Sequence, residues 1–195
     1  LILYRPRPTR RCPMPASADL PLLCHPDSPE PAVRALAVGA RVLPDGGLAL
    51  VWRLAGDLAA LRIPSAATAL PPERLWAHTC FEAFVGTPDG AAYREFNFSP
   101  NGQWMRFDFS GYRERVESPV LPAPQITLHC AGDVLELAVR LGAEQLPPGE
   151  LCVGLTAVVE SAGGRHSYWS LRHPAGQPDF HHREGFALAL RVPTP

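Results

Sequence analysis

The chain has 195 residues and a mass of 21.2 kDa, enough for one domain with a substantial core and too short for two of ordinary size. Its formal net charge is −1, and no run of Lys or Arg occurs beyond the amino terminus, so there is no electrostatic footprint for nucleic acid. No apolar stretch approaches the roughly 18–20 residues that span a bilayer, and no signal-peptide core precedes a small-residue cleavage site; the expectation is a cytoplasmic protein with no nucleic-acid or membrane partner.

Residues 1–19 are rich in Arg and Pro, offer little to bury, and read as a flexible extension to a single domain over 20–195; Met14 within them is a candidate start. Cys12, Cys24, Cys80, Cys130 and Cys152 are odd in number and lack CxxC spacing, which suggests neither a disulfide framework nor a zinc site. Reduced thiols are expected, with Cys80 and Cys152 inside apolar strand patterns as small hydrophobes.

The 23 prolines exceed the usual share of about 5% and punctuate many short elements. Residues 33–43 and 48–54 are apolar runs joined by Pro44-Asp45-Gly46-Gly47, a hairpin signal, and Trp52 shares a face with Leu48, Leu50 and Leu54, which places it in the core. Residues 57–64 fit either a short helical turn or a strand. Residues 72–78 fit one helical turn, and 80–86 a strand with Phe81, Ala83 and Val85 on one face and Glu82 on the other.

From Tyr93 to Ser99 the residues alternate, with Glu95, Asn97 and Ser99 on one face and Phe96 and Phe98 on the other. After Pro100-Asn101-Gly102, Met105, Phe107 and Phe109 alternate with Trp104, Arg106 and Asp108. A two-residue type I′ turn at Asn101-Gly102 predicts Phe98 opposite Met105, Phe96 opposite Phe107, and a second face that sets Ser99 beside Trp104, Asn97 beside Arg106 and Glu95 beside Asp108. Two carboxylates across a ladder repel, so this polar face calls for a compensating Arg106, cation or ligand hydroxyl. It is a candidate recognition surface with Trp104 as its aromatic platform; an ordinary solvated sheet face is the alternative.

Residues 125–130 and 134–141 form a second hairpin, 151–161 a strand buried on both faces, 166–171 a further strand, and 185–192 a closing one with Phe186, Leu188, Leu190 and Val192 alternating. Short strands, Pro- and Gly-rich turns and no long amphipathic helix predict an all-β, antiparallel β-sandwich or barrel with few helical turns.

The motifs TCFEAF (79–84), EFNFSPNGQW (95–104) and SYWSLRHPAGQPDFHHREGFALAL (167–190) resemble a family of bacterial DOMON-like proteins related in fold to the family 9 carbohydrate-binding modules. The resemblance runs from about Leu20 to Val192. It implies a jelly-roll-type β-sandwich that binds a sugar or, in other DOMON branches, haem, and it does not imply a known activity. The resemblance also allows a structural calcium, but no Asp-rich loop marks a site here and no cofactor is expected.

The loop 173–184 concentrates His173, Asp179, His181, His182 and Glu184 between two strands, where sandwich folds carry function. A self-satisfied polar loop is the alternative. A metal drawn from His181, His182, Asp179 and Glu82 is awkward, since adjacent His side chains point opposite ways in extended chain. Met105 and the seven His raise haem ligation, but Met105 falls with Phe107 and Phe109 on an apolar face, where a core Met is the simpler account. No GxSxG elbow, P-loop or dinucleotide fingerprint is present, so an enzyme remains an alternative without a motif.

For sugar binding the residue types fit. Aromatic faces pack on pyranose rings, and planar polar side chains bond their hydroxyls directionally. The candidate ligand-binding set is Glu82, Glu95, Asn97, Trp104, Arg106, Asp108, Trp169, Asp179 and His181, with Trp76 and Gln103 as further candidates. Alternation groups Trp169 with Ser167 and Leu171, opposite Tyr168, Ser170 and Arg172, and leaves burial and a platform role both open. The expected function is non-catalytic binding of a small polar ligand, a sugar or glycan fragment; a sugar-metabolising enzyme, a haem-binding module and a protein-interaction subunit are the alternatives.

Overall fold

The computed structural model describes residues 19–193. In chain order its strands are Leu20–Pro21 (β1), Leu23–Cys24 (β2), Val33–Val42 (β3), Leu48–Gly56 (β4), Cys80–Gly86 (β5), Tyr93–Phe98 (β6) and Trp104–Gly111 (β7). Glu114–Val116 (β8), Gln125–Ala131 (β9), Val134–Leu141 (β10), Gly149–Glu160 (β11), His166–Ser170 (β12) and Leu188–Val192 (β13) complete them. Short 3₁₀ turns at Leu58–Ala60, Pro72–Ala77, Ala143–Gln145 and Arg183–Gly185 are the only helical elements among the described residues. The molecule is an antiparallel β-sandwich, as the alternation predicts.

A five-stranded sheet of order β1-β3-β4-β10-β9 faces an eight-stranded one of order β2-β12-β11-β5-β6-β7-β8, with β13 paired to β11. Period-2 alternation fixes which side of each strand is dry. In β4, Leu48, Leu50, Trp52 and Leu54 point inward, and Leu135, Leu137, Val139 and Leu141 of β10 do the same beside them. Phe81, Ala83 and Val85 of β5, Phe96 and Phe98 of β6, and Val153, Leu155, Ala157 and Val159 of β11 meet them from the other sheet. Trp52 is fully buried, its ring centroid 5.8 Å from Phe81 and 5.9 Å from Phe98, so one indole bolts the two sheets together.

The β6–β7 hairpin departs from the predicted register by one residue. Pro100 holds the first central position of a turn closed by Gly102 N–H donating to Ser99 O at 3.0 Å, and Gly102 takes φ +88 before Ser99 N–H meets Gln103 O at 2.9 Å. Proline's fixed negative φ suits that position, and in the predicted type I′ hairpin Pro100 would face Gln103 without the N–H that closes the pair; the result is a three-residue loop with glycine in the left-handed position. The strands therefore pair Phe98 with Trp104, Asn97 with Met105, Phe96 with Arg106, Glu95 with Phe107 and Arg94 with Asp108.

A one-residue slip moves every side chain of one strand to the other face. Trp104 packs against the inter-sheet core, so the predicted platform beside Glu95 and Asn97 is corrected. Arg106 is buried on that inner side and donates from one Nη to Asp108 (3.0 Å) and Pro119 O (2.8 Å). Asp108 sits across from Arg94 rather than Glu95, which removes the like-charge clash. Trp169 also turns inward, 7% exposed, and donates to Ser167 Oγ at 2.9 Å.

Two further differences concern boundaries. Residues 57–64 contribute a 3₁₀ turn and a single bridge between Leu61 and Ser161, and β13 begins only at Leu188. Phe186 lies outside β13 and packs on the outer face of the eight-stranded sheet. Of the predicted extension over 1–19, all but Asp19 lies outside the described residues; Asp19 accepts from Arg53 Nη1 at 2.7 Å.

Candidate functional site

The register that turns Trp104 inward leaves the outer face of the eight-stranded sheet with an unusual composition. Across neighbouring strands it presents Thr156, Glu82, Asn97 and Met105 in one row, Gly154, Phe84, Glu95 and Phe107 in the next, and Cys152, Gly86, Tyr93 and Phe109 in a third. Phe84, Tyr93, Phe107, Phe109 and Phe186 form a second apolar cluster, separate from the inter-sheet core. Returning chain from β12 to β13 folds over part of this face. A Cβ on Gly154 would meet Gly185 O at 3.2 Å and the Phe186 ring at 3.3 Å, so glycine allows the chain to settle there.

What the returning chain leaves uncovered is a cleft of about 640 Å³. Glu82 and Glu95 lie on its floor, Phe84, Phe107 and Phe109 form one wall, and Tyr168, Phe180 and His181 another, with Trp76, Arg113 and Arg115 at the mouth. This volume and mixture of apolar walls with few polar groups is that of a small-molecule site.

Both floor carboxylates are almost wholly buried, Glu82 at 2% exposure and Glu95 at 5%. Thr156 Oγ1 donates to Glu82 Oε2 at 3.2 Å, and no cationic side chain pairs with Glu82 among the described residues. Burial, and then the charge of Glu95, push the Glu82 carboxyl well above the ordinary carboxylate range. Glu95 is also raised by burial, but Asn97 Nδ2 donates to its Oε1 at 2.6 Å, and the charges of Arg113 and Arg115 pull the other way. The Arg115 guanidinium stands 4.1 Å from the Phe107 ring centre, a cation already held by the aromatic wall.

His181 joins floor to wall. Its Nδ1 is 2.8 Å from Tyr93 Oη, and its Nε2 lies 3.7 Å from Glu95 Oε2. Burial and the Arg113 charge lower its pKa to about 4, so the ring is neutral at pH 7. Because Tyr93 Oη accepts from Arg113 N–H at 3.1 Å, its own proton is free for Nδ1, and the His181 proton then sits on Nε2, aimed at Glu95.

Asp179 does not reach the cleft floor. It accepts from Tyr112 Oη (2.6 Å), Arg113 Nη2 (3.0 Å) and His181 N–H (3.1 Å), beside a second hollow of about 490 Å³ that His182 and Glu184 also line. Burial tends to raise its pKa, but those donors hold it below the usual carboxylate range. Asp179 thus clasps the returning chain to the turn at Arg113, which has the left-handed φ of 58. His173 faces away, at 2.8 Å from Leu23 O.

Of the sequence candidates, the structure brings Glu82, Glu95 and His181 together on the cleft, with Asn97 fully buried beneath them. Trp104, Arg106, Asp108 and Trp169 lie on the opposite side of the sheet, and Gln103 pins the chain before Pro71 by bonding both N–H and O of Leu70 at 2.8 Å. Sequence reading missed Phe84, Phe107, Phe109, Tyr168 and Phe180 as walls. One signal was available: with Phe81, Ala83 and Val85 inward, Phe84 must share the outer face with Glu82. Cys80 is wholly buried, its Sγ 3.6 Å from Asn97 Oδ1, and burial pushes its thiol pKa up, which fits the inert thiol expected of it.

A two-sheet antiparallel sandwich with an aromatic, carboxylate-floored cleft on one outer face is the class of protein that fold and site define. Among solved structures, a Bacteroides uniformis protein assigned as a candidate carbohydrate binder superposes with a TM-score of 0.59 at 16% identity, covering 87% of this chain and 83% of its own. A family 9 carbohydrate-binding module from Caldicellulosiruptor kristjanssonii, in complex with cellotriose, superposes with a TM-score of 0.53 at 9% identity over 89% and 84%. At these identities the likeness establishes the shared sandwich fold. No protein-family model and no curated protein sequence matches the chain.

Proposed function

We propose that this protein is a non-catalytic, DOMON-like sugar-binding module whose ligand enters the outer-face cleft. The observation that carries the reading is the cleft itself: two buried carboxylates and a neutral histidine at the floor, between walls of Phe84, Phe107, Tyr168 and Phe180. Ring faces of a pyranose pack on such walls, while carboxylates accept from its hydroxyls. A fold shared with a module that holds cellotriose adds to it. In this reading Glu82, Glu95 and His181 contact the ligand, Asn97 and Asp179 hold those groups in place, and Trp76, 47% exposed at the mouth, is a platform.

The test is a thermal-shift series with glucose, cellotriose and other neutral oligosaccharides at millimolar concentration. A ligand that binds only the folded state at about 100 times its Kd stabilises by about 2.7 kcal/mol, a shift of several degrees. The shift should fall sharply in Trp76→Ala and Tyr168→Ala. No shift with any sugar rejects the reading and turns attention to a protein partner.

A further inference from the structure

The floor of the cleft gathers two acidic side chains, more than a neutral ligand requires. Glu82 pairs across the ladder with Asn97, and Glu95 with Phe84, so the two carboxylates are diagonal neighbours on one face, roughly 7 Å or less apart at their Cβ atoms. Hydroxyls alone give Glu82 no reason to ionise in so desolvated a place, whereas a cation between the two acids would let both carry charge. Arg113 and Arg115 act on Glu95 from the mouth, whereas Glu82 receives only the Thr156 hydroxyl. Its other neighbours supply no positive charge: Cys80 is a protonated thiol bonded to Asn97, and His181 is neutral. His166 and Glu73 lie further out on the rim, His166 bonded to Ala77 O at 3.0 Å.

Among the described residues no three His, Cys, Asp or Glu side chains are placed to hold a metal ion together, so a cation of another kind is the better match. An ammonium fits instead. One ammonium nitrogen carries several donors at about 2.7–2.9 Å reach, and side chains at diagonal positions of one face can converge on it. The surrounding rings favour a cation as well, as the Arg115 guanidinium over Phe107 already displays.

We infer that the cleft selects a sugar carrying a protonated amine, with the ammonium seated between Glu82 and Glu95; this rests on the sugar-binding reading above. The carbohydrate ring packs between the aromatic walls, and the amine distinguishes it from neutral sugars. Entry of the cation drives Glu82 to its ionised form, so binding releases a proton to the solvent.

Calorimetry of the whole protein at pH 6.5 with D-glucosamine, D-glucose and N-acetyl-D-glucosamine tests it. Glucosamine should bind at least about tenfold more tightly than either neutral sugar, and its binding heat should vary with the ionisation enthalpy of the buffer. In Glu82→Gln the preference should shrink to about twofold or less and the proton release should vanish, with melting at or above the wild-type temperature as the folding control; Glu95→Gln should also lose most of the preference. Equal affinity for glucose and glucosamine, or a preference that survives in both variants, overturns the inference while leaving sugar binding intact. Binding of none of the three overturns both.

Discussion

The two faces of strands β5, β6 and β7 are built from the same alternating residues and end in opposite states. Inward, Phe81, Phe96 and Phe98 meet Trp52 and the leucines of the facing sheet, and the buried Arg106 beside them is paired with Asp108. Outward, Phe84, Phe107 and Phe109 alternate with Glu82, Glu95 and Asn97, buried beneath a returning loop rather than a second sheet. The inner face stabilises the fold. The outer face gives up part of that stabilisation by desolvating carboxyl groups.

Truncations at matched rings should expose that difference most. Phe98→Ala opens a cavity between the two sheets and should cost about 3–5 kcal/mol, read by chemical denaturation. Phe109→Ala, on a wall that already borders the cleft, should cost about 1–2 kcal/mol less, because solvent and the loop can relax into the gap. Equal losses at the two positions would mean that the outer face is packed like a core.

The pH dependence of stability sharpens the contrast. Glu82 is raised in the folded state, so its contribution is fully present below the unfolded value of about 4.3 and is lost as pH rises through the higher folded value. His181 runs the other way. Its folded value of about 4 lies below the unfolded value of about 6.5, so its contribution is present above pH 6.5 and is lost as pH falls toward 4. The two slopes oppose one another between about pH 4.3 and 6.5. Glu82→Gln should therefore unmask a melting temperature that rises with pH in this window, and His181→Gln one that falls. Flat profiles in both variants would show that these groups titrate alike in folded and unfolded chains.

Trp104→Ala should have a smaller effect, about 1–2 kcal/mol for a half-buried indole at the edge of the core. Any thermal shift caused by a sugar should persist in it unchanged. Loss of that shift would return Trp104 to the binding surface.

The sandwich was legible because alternation and turn residues report directly on strands: both predicted hairpins over 33–54 and 125–141, and the core position of Trp52, follow from period 2 alone. The site was legible only in part. Glu82, Glu95 and His181 stood out as polar residues in apolar or loop contexts, and they do meet. Their aromatic walls did not stand out, because a phenylalanine on a face buried by a loop looks in sequence like one buried by a sheet. The largest error came from a single turn. Reading Asn101-Gly102 as the hairpin's centre ignored Pro100 before it, whose fixed φ and missing N–H shift the turn by one residue and exchange the two faces of β7 relative to β6.

Asp179 offers the finest test of the loop that separates the two faces' fates. Its carboxylate is partly exposed and shared among Tyr112, Arg113 and the His181 amide, so Asp179→Asn keeps the shape and one of the two acceptor oxygens while removing the charge opposite Arg113. Such a pair is worth about 0.2–1 kcal/mol, which global unfolding hardly registers. Locally, hydrogen exchange of residues 178–182 should quicken several-fold, since this clasp fixes the returning chain to the β7–β8 turn. Freed from Asp179, Arg113 should also relax its hold on Tyr93, and the His181 ring, no longer fixed from below, should weaken any sugar bound in the cleft by a fewfold. Unchanged exchange would show that Phe180 and Phe186, packed on Phe84, suffice to keep the loop in place without the clasp.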